Sequence, residues 1–122
     1  MDVVTRRRVL VVDDEQVIAD TLAKILDLYG YEASAVYTGT AAVESARSLQ
    51  PDLIISDVIM PDMDGIQAAI SIRGFLPNCK ILLFSGQAAT ADLLENARAQ
   101  GHEFEILGKP VHPSDLLAKL RG

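Results

Sequence analysis

The chain has 122 residues, a net charge of -6 and a pI near 4.7, enough for one domain around one core. The acidic balance argues against a nucleic-acid-binding surface, which works by neutralising phosphates. The lone cysteine, Cys79, excludes a disulfide framework and a thiolate metal site, and no apolar stretch nears the roughly 20 residues of a membrane helix. Arg6-Arg7-Arg8 is the only basic run and reads as a solvated lead-in to the first strand. Asp13, Asp14 and Glu15 interrupt the apolar run that follows, so no signal peptide is expected, and an idle thiol suits a reducing cytoplasm.

In chain order, short apolar runs alternate with amphipathic stretches. Residues 8–12 form the first run; Val17, Ile18, Leu22, Ile25, Leu26 and Tyr29 then recur at helical spacing until Gly30. Residues 32–37 read as a more polar edge strand, followed by an Ala-rich helix over 40–49 that Pro51 ends. Residues 53–56 are the third strand, and a helix over 66–75 follows Gly65 and closes before Pro77. Residues 80–84 are the fourth strand, with a helix over 91–99 capped by Thr90 and stopped by Gly101. A fifth strand over 104–107 and a helix over 114–120, with Pro113 in its first turn, complete the chain. Strand-helix alternation five times over predicts an α/β fold: a doubly wound, flavodoxin-like, five-stranded parallel sheet in the order 2-1-3-4-5, with helices on both faces. A single domain is expected over residues 1–122, with its core at about 8–120.

In that order, ligands sit beyond the carboxyl ends of strands one and three. Strand one ends in Asp13-Asp14 and strand three in Asp57. At about 5 Å separation and an effective dielectric near 20, each like-charged pair costs roughly 3 kcal/mol, so three pairs cost about as much as a whole domain's stability. A proton or a cation must relieve this. Oxygen-only ligands point to Mg2+, while the absence of His and Cys from these loops disfavours zinc. Strand four adds Ser85 and strand five Lys109 to the same edge. A hydroxyl, an ammonium and a dication around one carboxylate suit phosphoryl transfer, with Asp57 as the nucleophile.

Asp13-Asp14, Asp57, Ser85, Lys109-Pro110 and the stretch from Asp57 through Met60-Pro61 to Asp64-Gly65 resemble the receiver domain of two-component response regulators. The resemblance implies that Asp57 takes phosphate from a sensor histidine kinase or a phosphotransfer protein. It implies that Asp14 and Asp57 bind Mg2+ directly, Asp13 through water, and Ile59 through its backbone carbonyl. Lys109 and Ser85 would engage the phosphoryl group, the Lys109-Pro110 bond would be cis, and an output protein would read the change at the fourth helix, fifth strand and fifth helix. Such a domain promotes its own phosphorylation and dephosphorylation without being an enzyme for another substrate. The chain departs from the family three residues before the lysine, where Ile106 replaces the usual switch aromatic. Either that switch is missing, the preferred reading, or Phe104 substitutes through a local bulge. Ile59 and Gln87 stand where the family tunes phosphate lifetime.

Two other readings use the same residues. A Mg2+-dependent phosphatase with an aspartyl-phosphate intermediate would want Asp-x-Asp and a cap, where this chain has Asp13-Asp14 and no length to spare. A flavin binder would want phosphate-cradling loops in place of an acidic crevice. Taken singly, Asp13-Asp14 could cap the first helix, and Asp62 and Asp64 read as turn and N-cap residues. His112 is a candidate cap for the last helix, His102 a surface residue, and Met60 and Met63 packing and turn residues.

Overall fold

Five parallel strands form one sheet in the order β2-β1-β3-β4-β5: β1 (Arg8–Val12), β2 (Glu32–Val36), β3 (Leu53–Asp57), β4 (Lys80–Ser85) and β5 (Glu105–Gly108). The structure, a computed structural model, describes residues 6–86, 90–109 and 112–121. Each strand is followed by a helix: α1 (Gln16–Leu28), α2 (Gly39–Leu49), α3 (Gly65–Phe75), α4 (Thr90–Ala99) and α5 (Pro113–Arg121). The α/β class and the strand order are those the apolar runs imply.

Strand side chains alternate between two apolar layers, as the pleat requires. Val9, Val11, Leu53, Ile55, Leu82 and Phe84 pack with Ala19, Leu22 and Leu26 of α1 and Leu116, Leu117 and Leu120 of α5. Leu10, Val12, Ile54, Ile81 and Leu83 point the other way, onto Ala42 and Ala46 of α2, Ile66, Ala69 and Ile72 of α3 and Ala97 of α4. Both faces are covered, which is why the central strands read as continuous apolar runs. β2 and β5 are the less buried edges.

Helix boundaries follow local chemistry. Thr38 Oγ1 accepts from Ala41 N at 3.0 Å to start α2, and Asp64 Oδ1 accepts from Gln67 N at 2.8 Å to start α3. His112 does cap α5: its Nδ1 accepts from Ser114 N at 3.2 Å. Gly30, at φ +94, supplies the left-handed turn after α1. Some boundaries differ from expectation. Thr90 is the first residue of α4, not the one before it. The N-cap of α1 is Glu15, with no side-chain cap; Asp13 Oδ1 instead accepts from Glu15 N at 2.9 Å. β5 begins one residue later than the apolar run suggests, leaving Phe104 outside, and runs one residue further, where Gly108 pairs with Ser85.

Candidate phosphoacceptor and metal site

The strands deliver their last residues to one edge. Asp57 ends β3 opposite Phe84, where 7% of it is exposed. Asp13 follows β1, extends the ladder through its N–H to Val36 O at 3.2 Å, and is fully buried. Asp14 beside it is exposed. One carboxylate oxygen from each of Asp13, Asp14 and Asp57 lies within 4.8 Å of the others. Ser85 ends β4 opposite Gly108, and Lys109 N donates to Ser85 O at 3.1 Å, tying the two loops together. Asp14, Glu15, Asp57, Ile59, Ser85, Gly86 and Lys109 line a cleft of about 420 Å³. Gly86 keeps this junction narrow, since a Cβ there would sit 3.3 Å from Lys109 Cβ.

Lys109 reaches over the Phe84 ring, 5.1 Å from its centroid, and donates from Nζ to Asp57 Oδ2 at 3.1 Å. Its Nζ is 3.5 Å from Asp13 Oδ2, an ion-pair distance. Burial pulls the ammonium's pKa down, but the hydrogen bond and charge of Asp57 and the charge of Asp13 outweigh it and leave the pKa above its usual value. Asp13 shows the opposite balance. Burial raises its pKa, Asp57 adds to that, and the Glu15 N–H and Lys109 offset only part of it. Its Oδ2, buried, accepts no hydrogen bond from any described residue.

That oxygen tests whether a dication fits. Three carboxylates cluster with one ammonium, so negative charge is in excess, and the buried Asp13 Oδ2, 3.5 Å from that ammonium, accepts no hydrogen bond among the described residues. The donors are all oxygens, as Mg2+ prefers. Asp13, Asp14 and Asp57 are the residues that would hold it.

Of the residues singled out in the sequence, Asp14, Asp57, Ile59, Ser85 and Lys109 line one cleft, and Asp13 is buried beside it with its carboxylate against Asp14, Asp57 and Lys109. Ile106 is not among them: it pairs with Leu83 within the sheet and packs toward α2, α3 and α4. β5 pairs with β4 residue for residue without a bulge, so Phe104 is not carried up to that position. Its ring instead lies under the Arg73 guanidinium, 4.3 Å from Cζ to centroid, and stacks on His102. Gln87 and Pro110, and with Pro110 the expected cis bond, lie outside the described residues.

Sequence reading missed the work of Asp62. Beyond forming a turn, its carboxylate accepts from Gly39 N at 3.1 Å, Thr40 N at 3.0 Å and Thr40 Oγ1 at 2.7 Å. These bonds hold its pKa well below the usual carboxylate range, the Thr40 N–H contributing most.

The response regulator receiver domain family matches residues 9–121. Chemotaxis protein CheY of Thermotoga maritima is 36% identical over 93% of this chain and 94% of its own length. DNA-binding response regulator MtrA of Mycobacterium tuberculosis is 29% identical over 95% of this chain but only 50% of its own length. The chain therefore spans about half of that longer relative. Among solved structures, Vibrio cholerae chemotaxis protein CheY4 superposes with a TM-score of 0.85 at 29% identity, covering 96% of this chain and 98% of its own. An α/β sheet wound in this order, with an acidic crevice at its carboxyl edge, defines a receiver fold. The chain belongs to the response regulator receiver domain family of two-component signalling.

Proposed function

We propose that residues 8–120 act as one phosphoacceptor switch in a two-component phosphorelay, taking phosphate onto Asp57 from a phosphohistidine on a sensor kinase or phosphotransfer protein. The observation that carries this is the placement of Asp57: a nearly buried carboxylate that ends a central strand, 3.1 Å from a lysine ammonium and clustered with two more carboxylates. A carboxylate oxygen of Asp57 attacks phosphorus. The new P–O bond forms as the P–N bond breaks, and the imidazole nitrogen keeps the electron pair and takes a proton. Lys109 orients Asp57 beforehand and neutralises the phosphoryl oxygens afterwards; the Ser85 hydroxyl, at the same rim, is a donor for one of them. Asp13, Asp14, Asp57 and the Ile59 carbonyl would hold Mg2+, which when bound neutralises charge on the transferring group.

The added phosphate brings about two negative charges and strong acceptors, enough to bias the surface of α4, β5 and α5 between two states read by an output protein. With Ile106 on β5 and Phe104 engaged by Arg73, this response runs without the usual aromatic rotamer. No direct nucleic-acid contact is proposed for so acidic a segment, although MtrA is a DNA-binding regulator. Among the described residues no helix is long and apolar enough to cross a membrane. A cytoplasmic location, alongside the kinase, is part of this proposal. The phosphatase reading gains nothing from relatives that are response regulators.

Acetyl phosphate with Mg2+ is expected to add one phosphoryl group per chain, read by intact mass, and Asp57→Asn to add none. Persistent full labelling of Asp57→Asn would move the acceptor elsewhere. Sustained turnover of phosphomonoesters by the wild type would favour a phosphatase.

A further inference from the structure

The segment after Asp57 is seated against α2 by more than packing. Val58 O accepts from Gly65 N at 2.7 Å, closing the base of the loop that carries Ile59. At the tip of that loop, both oxygens of Asp62 are used: Oδ1 by Gly39 N, Oδ2 by Thr40 N and Thr40 Oγ1. The donors are the first two N–H groups of α2, which no intrahelical carbonyl can satisfy and which carry the positive end of the helix dipole. Beside them, Gly39 makes room for the loop: a Cβ there would lie 2.8 Å from both Cβ and O of Met63. Thr38 already caps the helix from within, through Ala41 N. The bond to Asp62 is therefore an additional tie, and it joins α2 to the loop between Asp57 and α3.

We propose that Asp62 is a positioning residue of the phosphoacceptor site, holding the Ile59 segment against α2 so that its backbone is set for the cation. This rests on the assignment of Mg2+ and phosphate to the cleft. Asp62 is not among the residues lining the cleft; it acts through Met60 and Pro61, the two residues that separate it from Ile59. Hydrogen bonds to a carboxylate are charge-assisted and directional, and two of the three donors to Asp62 are backbone N–H groups, so the tie transmits position into α2. A loop free to drift by about 1 Å loses much of the benefit of a prearranged ligand. The coupling is reciprocal: a cation that orders the Ile59 segment also orders the tie.

The test uses the whole chain as Asp62→Asn, Asp62→Ala and Thr40→Val. Mg2+ affinity is measured by calorimetry, and exchange of the Gly39 and Thr40 amides is followed by NMR with and without Mg2+. Asp62→Ala is expected to weaken Mg2+ binding about tenfold, the low end of the range for outer-sphere partners of metal ligands, and Asp62→Asn by about half that factor. Thr40→Val, which removes only the hydroxyl donor, is expected to weaken it about twofold. In the wild type, saturating Mg2+ is expected to slow exchange at both amides, and in Asp62→Ala to leave it unchanged. Wild-type Mg2+ affinity in folded Asp62→Ala, whatever its melting temperature, would overturn the proposal. If Asp62→Ala does not fold, unchanged affinity and unchanged amide response in Thr40→Val would overturn it. A wild type that binds no Mg2+ at all would instead refute the assignment of the cleft.

Discussion

Asp13 sits where its charged form is disfavoured. Burial and the neighbouring Asp57 raise its pKa above the ordinary carboxylate value. The folded state therefore holds a proton on Asp13 more readily than the unfolded state, so stability falls as pH rises from about 4 through the folded pKa. Asp13→Asn removes that slope. In chelator it is expected to be more stable than the wild type at pH 7, while binding Mg2+ less tightly. Thermal unfolding with and without Mg2+ checks both, and a variant less stable in chelator would contradict the cost assigned to Asp13. Asp62 works in the opposite sense, its depressed pKa giving stability above about pH 4 that is lost on further acidification. Asp13, Asp57, Ser85 and Lys109 were legible as site residues because each breaks or follows an apolar run at a strand end. Asp62 was not, because its partners lie 22 and 23 residues away in sequence, across a contact no local pattern encodes.

At the level of elements, the approach of α3 to β3 sets the surroundings of Asp57. A Cβ on Gly65 would fall 2.0 Å from the carbonyl oxygen of Asp57, which is backbone and cannot swing aside. Gly65→Ala is expected to cost about 3 kcal/mol and to displace the Asp57 backbone. The check is a melting curve together with the yield of phosphorylation at equal folded fraction; full yield with unchanged stability would mean that α3 shifts freely. The sequence placed Gly65 after an acidic turn but could not show what its missing side chain avoids. β5 carries a similar lesson. An aromatic two positions before Ile106 left two registers open, and the unbroken ladder of β5 on β4 selects the one that leaves Phe104 below the sheet with Arg73. Ladder hydrogen bonds and a guanidinium on the far helix decide this, and neither is local to 104–107.

Across the whole molecule the winding direction separates charge. Helices run antiparallel to the strands, so their last turns, with Arg47, Arg73, Arg98, Lys119 and Arg121, lie toward the amino edge of the sheet and complement the helix dipoles. The carboxyl edge keeps Asp13, Asp14, Glu15 and Asp57, and among the described residues Lys109 is the one cation lining its cleft. Binding Mg2+ to the folded state alone is expected to add about 2.7 kcal/mol at a hundredfold excess over Kd, raising Tm by about 10 °C. NaCl at matched ionic strength is expected to do far less; equal shifts from the two salts would remove the case for a specific site. The alternation of five apolar runs with five amphipathic stretches determined the class, the strand order and the edge at which the acids meet, because hydrophobic period and crossover handedness are carried by the chain itself. Only the folded chain decided that Asp13 keeps a buried oxygen with no hydrogen bond among the described residues, that Asp62 ties the segment after Asp57 to α2, and that β5 pairs with β4 without a bulge. Those outcomes depend on distances between segments far apart in sequence, and such distances exist only once the layers have packed.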